Sequence, residues 1–191
     1  MSAPATASII RVPGVLIWNP TSLSGSAPYG GTYLGETRGI SFRSNPRYRP
    51  IWDETSGSVL DLIYAGEGPC ELKAILRYPD SDALTTSAEK TVQTTSGGVA
   101  FLFRPQGTTA NTRAGKLMSA SAGILLFAPH AATAHPMVLI YNAVPMLDED
   151  LDLRFSQKEE WGLGLSFVGT PDASGRVYAH GRKATLTTVF P

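Results

Sequence analysis

The stretch that decides the fold runs from Val15 to Phe42, VLIWNPTSLSGSAPYGGTYLGETRGISF. Val15-Leu16-Ile17-Trp18 is apolar and β-prone, and Asn19-Pro20-Thr21 stops it. A loop rich in Pro, Gly and Ser follows. Gly30-Gly31 then reopens the chain, and Thr32 to Phe42 reads as a second strand. The segment holds no nucleophile, base or ligand set. It shapes a surface, with backbone freedom placed at fixed points.

The same alternation of short strands and turns continues outward. Ser44 to Ser58 reads as a loop, with Asn45-Pro46, Arg49-Pro50 and Ser56-Gly57, and it carries the sticky side chains Arg47, Tyr48, Arg49, Ile51 and Trp52. Val59 to Ala65 is the next strand and Gly66-Glu67-Gly68-Pro69 a turn. Glu71 to Tyr78 alternates, with Leu72, Ala74, Leu76 and Tyr78 on one side and Glu71, Lys73 and Arg77 on the other. A short helix is predicted from Asp80 or Ser81 through Ala88. Val99 to Phe103 is a strand, and Arg104 to Gly115 is a long Thr-, Pro- and Gly-bearing excursion. Lys116 to Phe127 reads as a long strand or a bent pair. Met137 to Val144, Leu151 to Phe155 and Leu163 to Val168 complete the set, and Pro171 to Gly175 forms a hairpin turn before Arg176 to Ala179. Met1 to Ser8 reads as a flexible arm. The total is roughly nine to eleven strands with turns every ~8–12 residues. The expected fold class is all-β, a β-sandwich or barrel in a single domain over residues 1–191, with one short helix and long loops.

Composition narrows the function. The 191 residues can bury one sizeable core without disulfides or metal. Charged residues are 17%, with 16 Lys+Arg against 16 Asp+Glu, below the usual quarter. Two readings fit: a large surface hidden by association, or an ordinary Ser/Thr-rich surface. No basic bias points to nucleic-acid binding. The one cysteine, Cys70, has no partner for a disulfide or a zinc site, and reads as a strand residue in a reducing compartment. No secretory signal is visible, and no run approaches the ~18 apolar residues of a helical membrane span.

The search for chemistry leaves no catalytic set, and no cofactor is expected. His130, His135 and His180 form no metal-binding pair. Gly164-Leu165-Ser166-Phe167-Val168-Gly169 has Val168 where a nucleophile elbow requires Gly. Gly115-Lys116 lacks the rest of a phosphate loop. Asp148, Asp150, Asp152 and Glu159 fall at calcium-loop positions, but Leu153 stands where that loop needs Gly. No spacing selects a pair of carboxylates for glycoside hydrolysis.

The opening segment resembles the start of the tail tube and related ring-forming tail proteins of long-tailed bacteriophages. The resemblance is carried by Asn19-Pro20-Thr21, then Gly30-Gly31-Thr32-Tyr33-Leu34-Gly35, then Arg38 to Phe42. Leu151 to Phe155, Gln157-Lys158-Glu159-Glu160-Trp161, Leu163 to Val168 and Pro171 to Gly175 look like the closing strands of the same family. The resemblance implies a virion structural protein, not an enzyme. Its subunits would join as homo-hexameric rings that stack with other phage tail proteins into a conduit for genome ejection. DNA would pass without specific binding and no membrane would be involved; the protein would be made in the host cytoplasm and end in the virion. Candidate subunit contacts are Arg47, Tyr48, Arg49, Ile51 and Trp52 in one loop and Thr108, Asn111 and Arg113 in the other. Glu71 and Asp152 are candidates for the wall of the bore, because DNA slides best past acidic or neutral groups. The alternatives are another virion ring protein (baseplate, tail-end adaptor or capsid decoration), the tube of a bacterial contractile secretion system, or a β-sandwich glycan hydrolase.

Overall fold

A computed structural model describes residues 13–52, 55, 58–77, 91–95, 98–102, 119, 122–131, 135–146 and 163–191. Their strands are β1 (Gly14–Trp18), β2 (Thr32–Trp52), β3 (Val59–Leu76), β4 (Thr91–Thr95), β5 (Gly98–Leu102), β6 (Gly123–Pro129), β7 (Met137–Met146), β8 (Leu163–Gly169) and β9 (Tyr178–Gly181). One helix, α1, spans Lys183–Val189. The fold is all-β, as the sequence implies.

Six strands close a barrel in the order β6-β1-β2-β3-β8-β7, with β7 pairing back onto β6. All these pairings are antiparallel. Closure removes edges over the length of the ring. The unbroken apolar run of β1 has a simple cause: both of its faces are buried. Leu16 and Trp18 point into the barrel with Leu34, Leu72, Leu76, Leu125, Phe127, Ile140 and Phe167. Val15 and Ile17 point outward into a second cluster with Leu126, Leu139 and Tyr141. That outer cluster is roofed by Leu23 and Tyr29 of the Pro-rich loop and by Leu186 of α1. Trp18 meets Phe167 across the barrel at 5.8 Å between ring centroids.

The loop after β1 is held at its turning points. Asn19 has a positive φ of 48°, a conformation Asn tolerates. Its Oδ1 accepts from the Ile124 N–H at 2.8 Å, and its own N–H donates to the Ile124 carbonyl at 2.7 Å. Gly30 needs φ 72°, and a Cβ on Gly31 would sit 2.6 Å from the Trp18 carbonyl oxygen. The Gly-Gly pair is therefore imposed by backbone geometry. Lys183 of α1 sits 4.8 Å over the Tyr29 ring and donates to the Gly25 carbonyl, so the helix clamps the loop.

Several expectations are corrected. Ser44 to Ser58 is not simply a loop: β2 continues to Trp52 and β3 begins at Val59. The prolines that suggested a loop are tolerated because their nitrogens face an edge that no strand among the described residues pairs with. Gly66-Glu67-Gly68-Pro69 is not a turn but part of β3, which absorbs it as irregularities in register beside Gly66 at φ 114°. Thr91 to Thr95 forms β4. Of the strand or bent pair expected over Lys116 to Phe127, the described part is β6 from Gly123; residues 116–118, 120 and 121 lie outside the described residues. Pro171 to Gly175 is not the turn of a β8–β9 hairpin. β8 and β9 both run antiparallel to β7 along the same flank, so residues 170–177 are an excursion within one line. Helix α1 was not anticipated. The expected helix over 80–88, the 104–115 excursion, the 151–155 strand and the arm over 1–8 lie outside the described residues.

The excursion is fastened by one carboxylate. Asp172 accepts from the Ser174 and Arg176 backbone N–H groups at 2.9 and 2.7 Å, and from Arg176 Nε and Nη2 at 2.9 and 2.8 Å. The guanidinium lies 4.4 Å over the Tyr141 ring, and the Tyr141 hydroxyl donates to the Val189 carbonyl at 2.8 Å. Loss of water works to raise the Asp172 carboxyl. The hydrogen bonds from Arg176 and Ser174, with the Arg176 charge, outweigh that effect and hold it below the usual carboxylate range. A depressed folded-state value stabilises the protein above the unfolded carboxylate value and loses that contribution as pH falls through the folded one. Asp172→Asn should therefore lower thermal stability at pH 7 and narrow its gap to the parent as pH drops below ~4, read as melting temperature against pH. Phe167→Ala removes a fully buried ring from the barrel. It should cost about 3–5 kcal/mol in urea unfolding monitored by circular dichroism.

Candidate assembly surface

Two barrel strands do not stop where the barrel ends. β1 pairs with β2 only over Thr32–Thr37, and β8 pairs with β3 only over Cys70–Leu76. Beyond those points β2 to Trp52 and β3 back to Val59 pair only with each other among the described residues. About ten residues per strand at ~3.3 Å each make a two-stranded ribbon roughly 33 Å long.

The ribbon has two chemically different faces. Ile40 and Phe42 pack on the barrel interior, so the even positions of β2 continue that face. Tyr48, Pro50 and Trp52 lie on it, opposite Tyr64, Leu62 and Val59 of β3. Arg43, Arg47, Arg49 and Ile51 lie on the other face, with Ile63 and Asp61 across from them. Trp52 is 59% exposed, Tyr48 57%, Leu62 56% and Tyr64 56%. A face that would be core inside the barrel is in water here.

Hydrogen-bond phase then distinguishes the two edges. In an antiparallel ladder, directly opposed residues either exchange both backbone bonds or neither. Pro50 has no N–H, and the N–H of its partner Leu62 goes instead to Asp61 Oδ1 at 2.7 Å. That pair is the unbonded kind, so the polar backbone groups of both residues point away from the ribbon. Tyr48 and Tyr64, two residues along, share the phase, and side chains lie closest in such pairs. Their rings meet edge to face at 5.9 Å. Pro46 also has this phase on β2. The outer edge of β2 thus presents two prolines and no donor at either, a device that blocks strand addition. The β3 edge, reading Val59-Leu60-Asp61-Leu62-Ile63-Tyr64, contains no proline.

The five contact residues expected from one loop, Arg47, Tyr48, Arg49, Ile51 and Trp52, are all on this ribbon, but they are divided between its faces. Thr108, Asn111, Arg113 and Asp152 lie outside the described residues. Glu71 stands half-buried on the outer face of the barrel wall, where the exposed Lys73 pairs with it at 3.1 Å. The β3 half of the surface, Val59, Leu62, Ile63 and Tyr64, was not singled out from sequence. Its signal was an apolar β-prone run with polar turns on both flanks, which reads equally well as an inner strand. On the barrel wall, Ile75 is 48% exposed between Gly39 of β2 and Gly164 of β8, and a Cβ on Gly39 would meet nothing within 4 Å. No group of three or more His, Cys, Asp or Glu side chains able to hold a metal occurs among the described residues. No helix among them is long and apolar enough to cross a membrane.

No protein-family model matches the chain, and no curated protein matches it. Among solved structures, the chain is similar to the cryo-EM structure of the anti-feeding prophage cap, the tube terminating cap, with a TM-score of 0.46 and 8% identity over 95% of each chain. It is also similar to the crystal structure of Hcp protein, with a TM-score of 0.35 and 10% identity over 89% of this chain and 98% of that one. Neither likeness is close enough to bear on what the chain does.

If the prolines guard the β2 edge, restoring a donor there should create an uncontrolled contact. Pro50→Ala is expected to shift the protein toward open-ended aggregates, seen as rising light scattering and thioflavin binding at concentrations where the parent is clear.

Proposed function

We propose that this chain is a structural subunit of a phage-type tail tube, joining head to tail with copies of itself into hexameric rings that stack into a conduit. The observation that carries the reading is the ribbon. An isolated two-stranded ribbon is marginal in water, and one with an exposed aromatic face needs a partner to cover it. The partner surface cannot be the same ribbon face in every copy if a ring is to close, so the contact is heterologous. The pattern around Asn19-Pro20-Thr21 and Gly30 to Gly35 points to the same family of assemblies.

In this reading the barrel is the wall of the tube and the ribbon is its fastening. Tyr48 and Trp52 supply buried anchors, since aromatic side chains dominate the energy of such contacts. Arg47, Arg49 and Ile51, on the opposite face, meet the next ring together with Thr108, Asn111 and Arg113. Glu71 and Asp152 belong to the bore. The ion pair of Glu71 with Lys73 suits that place, because a paired lysine does not hold a passing phosphate backbone by counterion release. DNA passes without being bound, and the protein works within the virion tail beside other tail proteins, not as an enzyme.

Negative-stain microscopy of purified protein is the direct test: stacked six-fold rings support the tube, single rings support a baseplate or adaptor role, and a monomer at high concentration in light scattering overturns both. Trp52→Ala should abolish rings, or weaken them by at least tenfold in concentration, while the far-ultraviolet circular dichroism stays β-like. Unaltered assembly would remove the ribbon from the interface.

A further inference from the structure

The outer apolar face of β1, β6 and β7 is covered by an element whose own sequence does little to hold it there. α1 reads Lys183-Ala184-Thr185-Leu186-Thr187-Thr188-Val189 and makes about two turns. Thr185, Thr187, Thr188 and Val189 are β-branched, and a helix this short does not stand alone in water. Arg182 gives it no side-chain cap, its first turn holds no acidic residue and its last turn no basic one. It is helical because of what it lies on. Leu186, its one buried residue, sits in the outer cluster with Ile17, Met137, Leu139 and Tyr141, and Phe190 packs beside it. At one end Lys183 reaches the Tyr29 ring and the Gly25 carbonyl; at the other the Val189 carbonyl accepts from the Tyr141 hydroxyl. Between β9 and α1 stands only Arg182, with an extended backbone of φ −67° and ψ 152°.

We infer that α1 is a strap: it lifts from the barrel as one unit about Arg182 while the strand ladder stays closed, and each lifting bares the apolar face of Ile17, Met137 and Leu139. The unit follows from the placing of its fastenings. Lys183 and Tyr141 hold opposite ends, with Leu186 seated between them, and once that seat is lost neither turn can persist by itself. The barrel does not share the loss. Its inner cluster takes no residue from α1, and β7 keeps its pairings with β6 and β8. The loop over 22–29 also stays in place, since the Tyr29 carbonyl accepts from the Thr21 and Ser22 N–H groups at 3.0 and 3.3 Å without any help from α1. Closed, the strap shows water the exposed side chains of Ala184, Thr185, Thr187 and Thr188. Open, it uncovers side chains that are fully buried beneath it, so the same flank switches between a mostly hydroxyl-bearing and an apolar surface. This flank lies away from the ribbon, and the lifting needs no partner chain.

Hydrogen exchange of the full chain, read at single amides by mass spectrometry with electron-transfer fragmentation, is the test. In the parent, the amides of Leu186, Thr187, Thr188 and Val189 are expected to be protected roughly a hundredfold less than those of Leu16 and Ile17 in β1. Their exchange should also depend far less on urea, because lifting the strap exposes little surface compared with opening the barrel. Lys183→Ala and Tyr141→Phe cut opposite ends, and each should speed all four strap amides by the same factor, about tenfold. Acceleration confined to the end that was cut, at Leu186 for Lys183→Ala or at Val189 for Tyr141→Phe, overturns the single unit in favour of fraying. Strap amides as slow as those of Leu16 and Ile17, with the same urea dependence, overturn the strap altogether and make α1 part of the barrel's one cooperative fold.

Discussion

The structure depends on one ladder, the antiparallel pairing of β2 with β3. At one end it is part of the barrel wall, with β1 and β8 on its flanks and Leu34, Leu72 and Leu76 sealed beneath it. At the other end, among the described residues, no further strand flanks it. The two strands continue outward through irregularities in register near Thr37, Arg43, Arg47 and Ile51, which reset the hydrogen-bond phase along the bulged strand. That phase decides which backbone groups face each edge of the ribbon and which side chains face water. A rigid barrel therefore fixes the orientation of a surface that has no core of its own.

The rest of the molecule stiffens the far side of the barrel. β1, β6 and β7 are buried on both faces, because the Pro-rich loop and α1 roof them. The outer faces of β2, β3 and β8 carry Ser41, Lys73, Glu71 and Ile75 and have no such roof in the described core clusters. The molecule is thus two-sided: one flank is closed by its own chain, while the other runs into the projecting ribbon. The Asp172–Arg176–Tyr141 cluster belongs to the closed flank, tying the excursion between β8 and β9 to the end of the helix. Its charge-assisted bonds are local, which suits a fastening and not a contact site.

The aromatic load of the ribbon is what the proposed assembly would cover. Tyr48 and Tyr64 touch each other, but each remains more than half exposed. Cross-strand pairs of this kind add of order 1 kcal/mol, too little to hold roughly twenty residues of backbone in order against their conformational entropy. In the proposed assembly, a second chain laid over the aromatic face would supply the missing burial without any change in the ribbon's own pairing.

Much of this was legible in the chain itself. The unbroken apolar run of β1, the alternation from Glu71 to Leu76, the stop at Asn19-Pro20 and the Gly30-Gly31 pair all follow from local rules, because side-chain period and backbone freedom are properties of neighbouring residues. The sticky character of Arg47 to Trp52 was visible for the same reason. What sequence could not decide was pairing. Pro46 and Pro50 are turn signals when read alone, and they become strand residues only because tertiary pairing turns their nitrogens away from β3. The glycines of residues 66–68 likewise read as a turn until the opposite strand absorbs them as bulges. Helix α1 buries only Leu186 and has no side-chain cap, so its local signal was slight, and its position depends on Lys183 reaching Tyr29 from 154 residues further along the chain. The sequence by itself determined an all-β chain with a sticky segment. Tertiary structure decided that the segment is a two-stranded ribbon with prolines along one edge, because an edge exists only relative to the strands beside it.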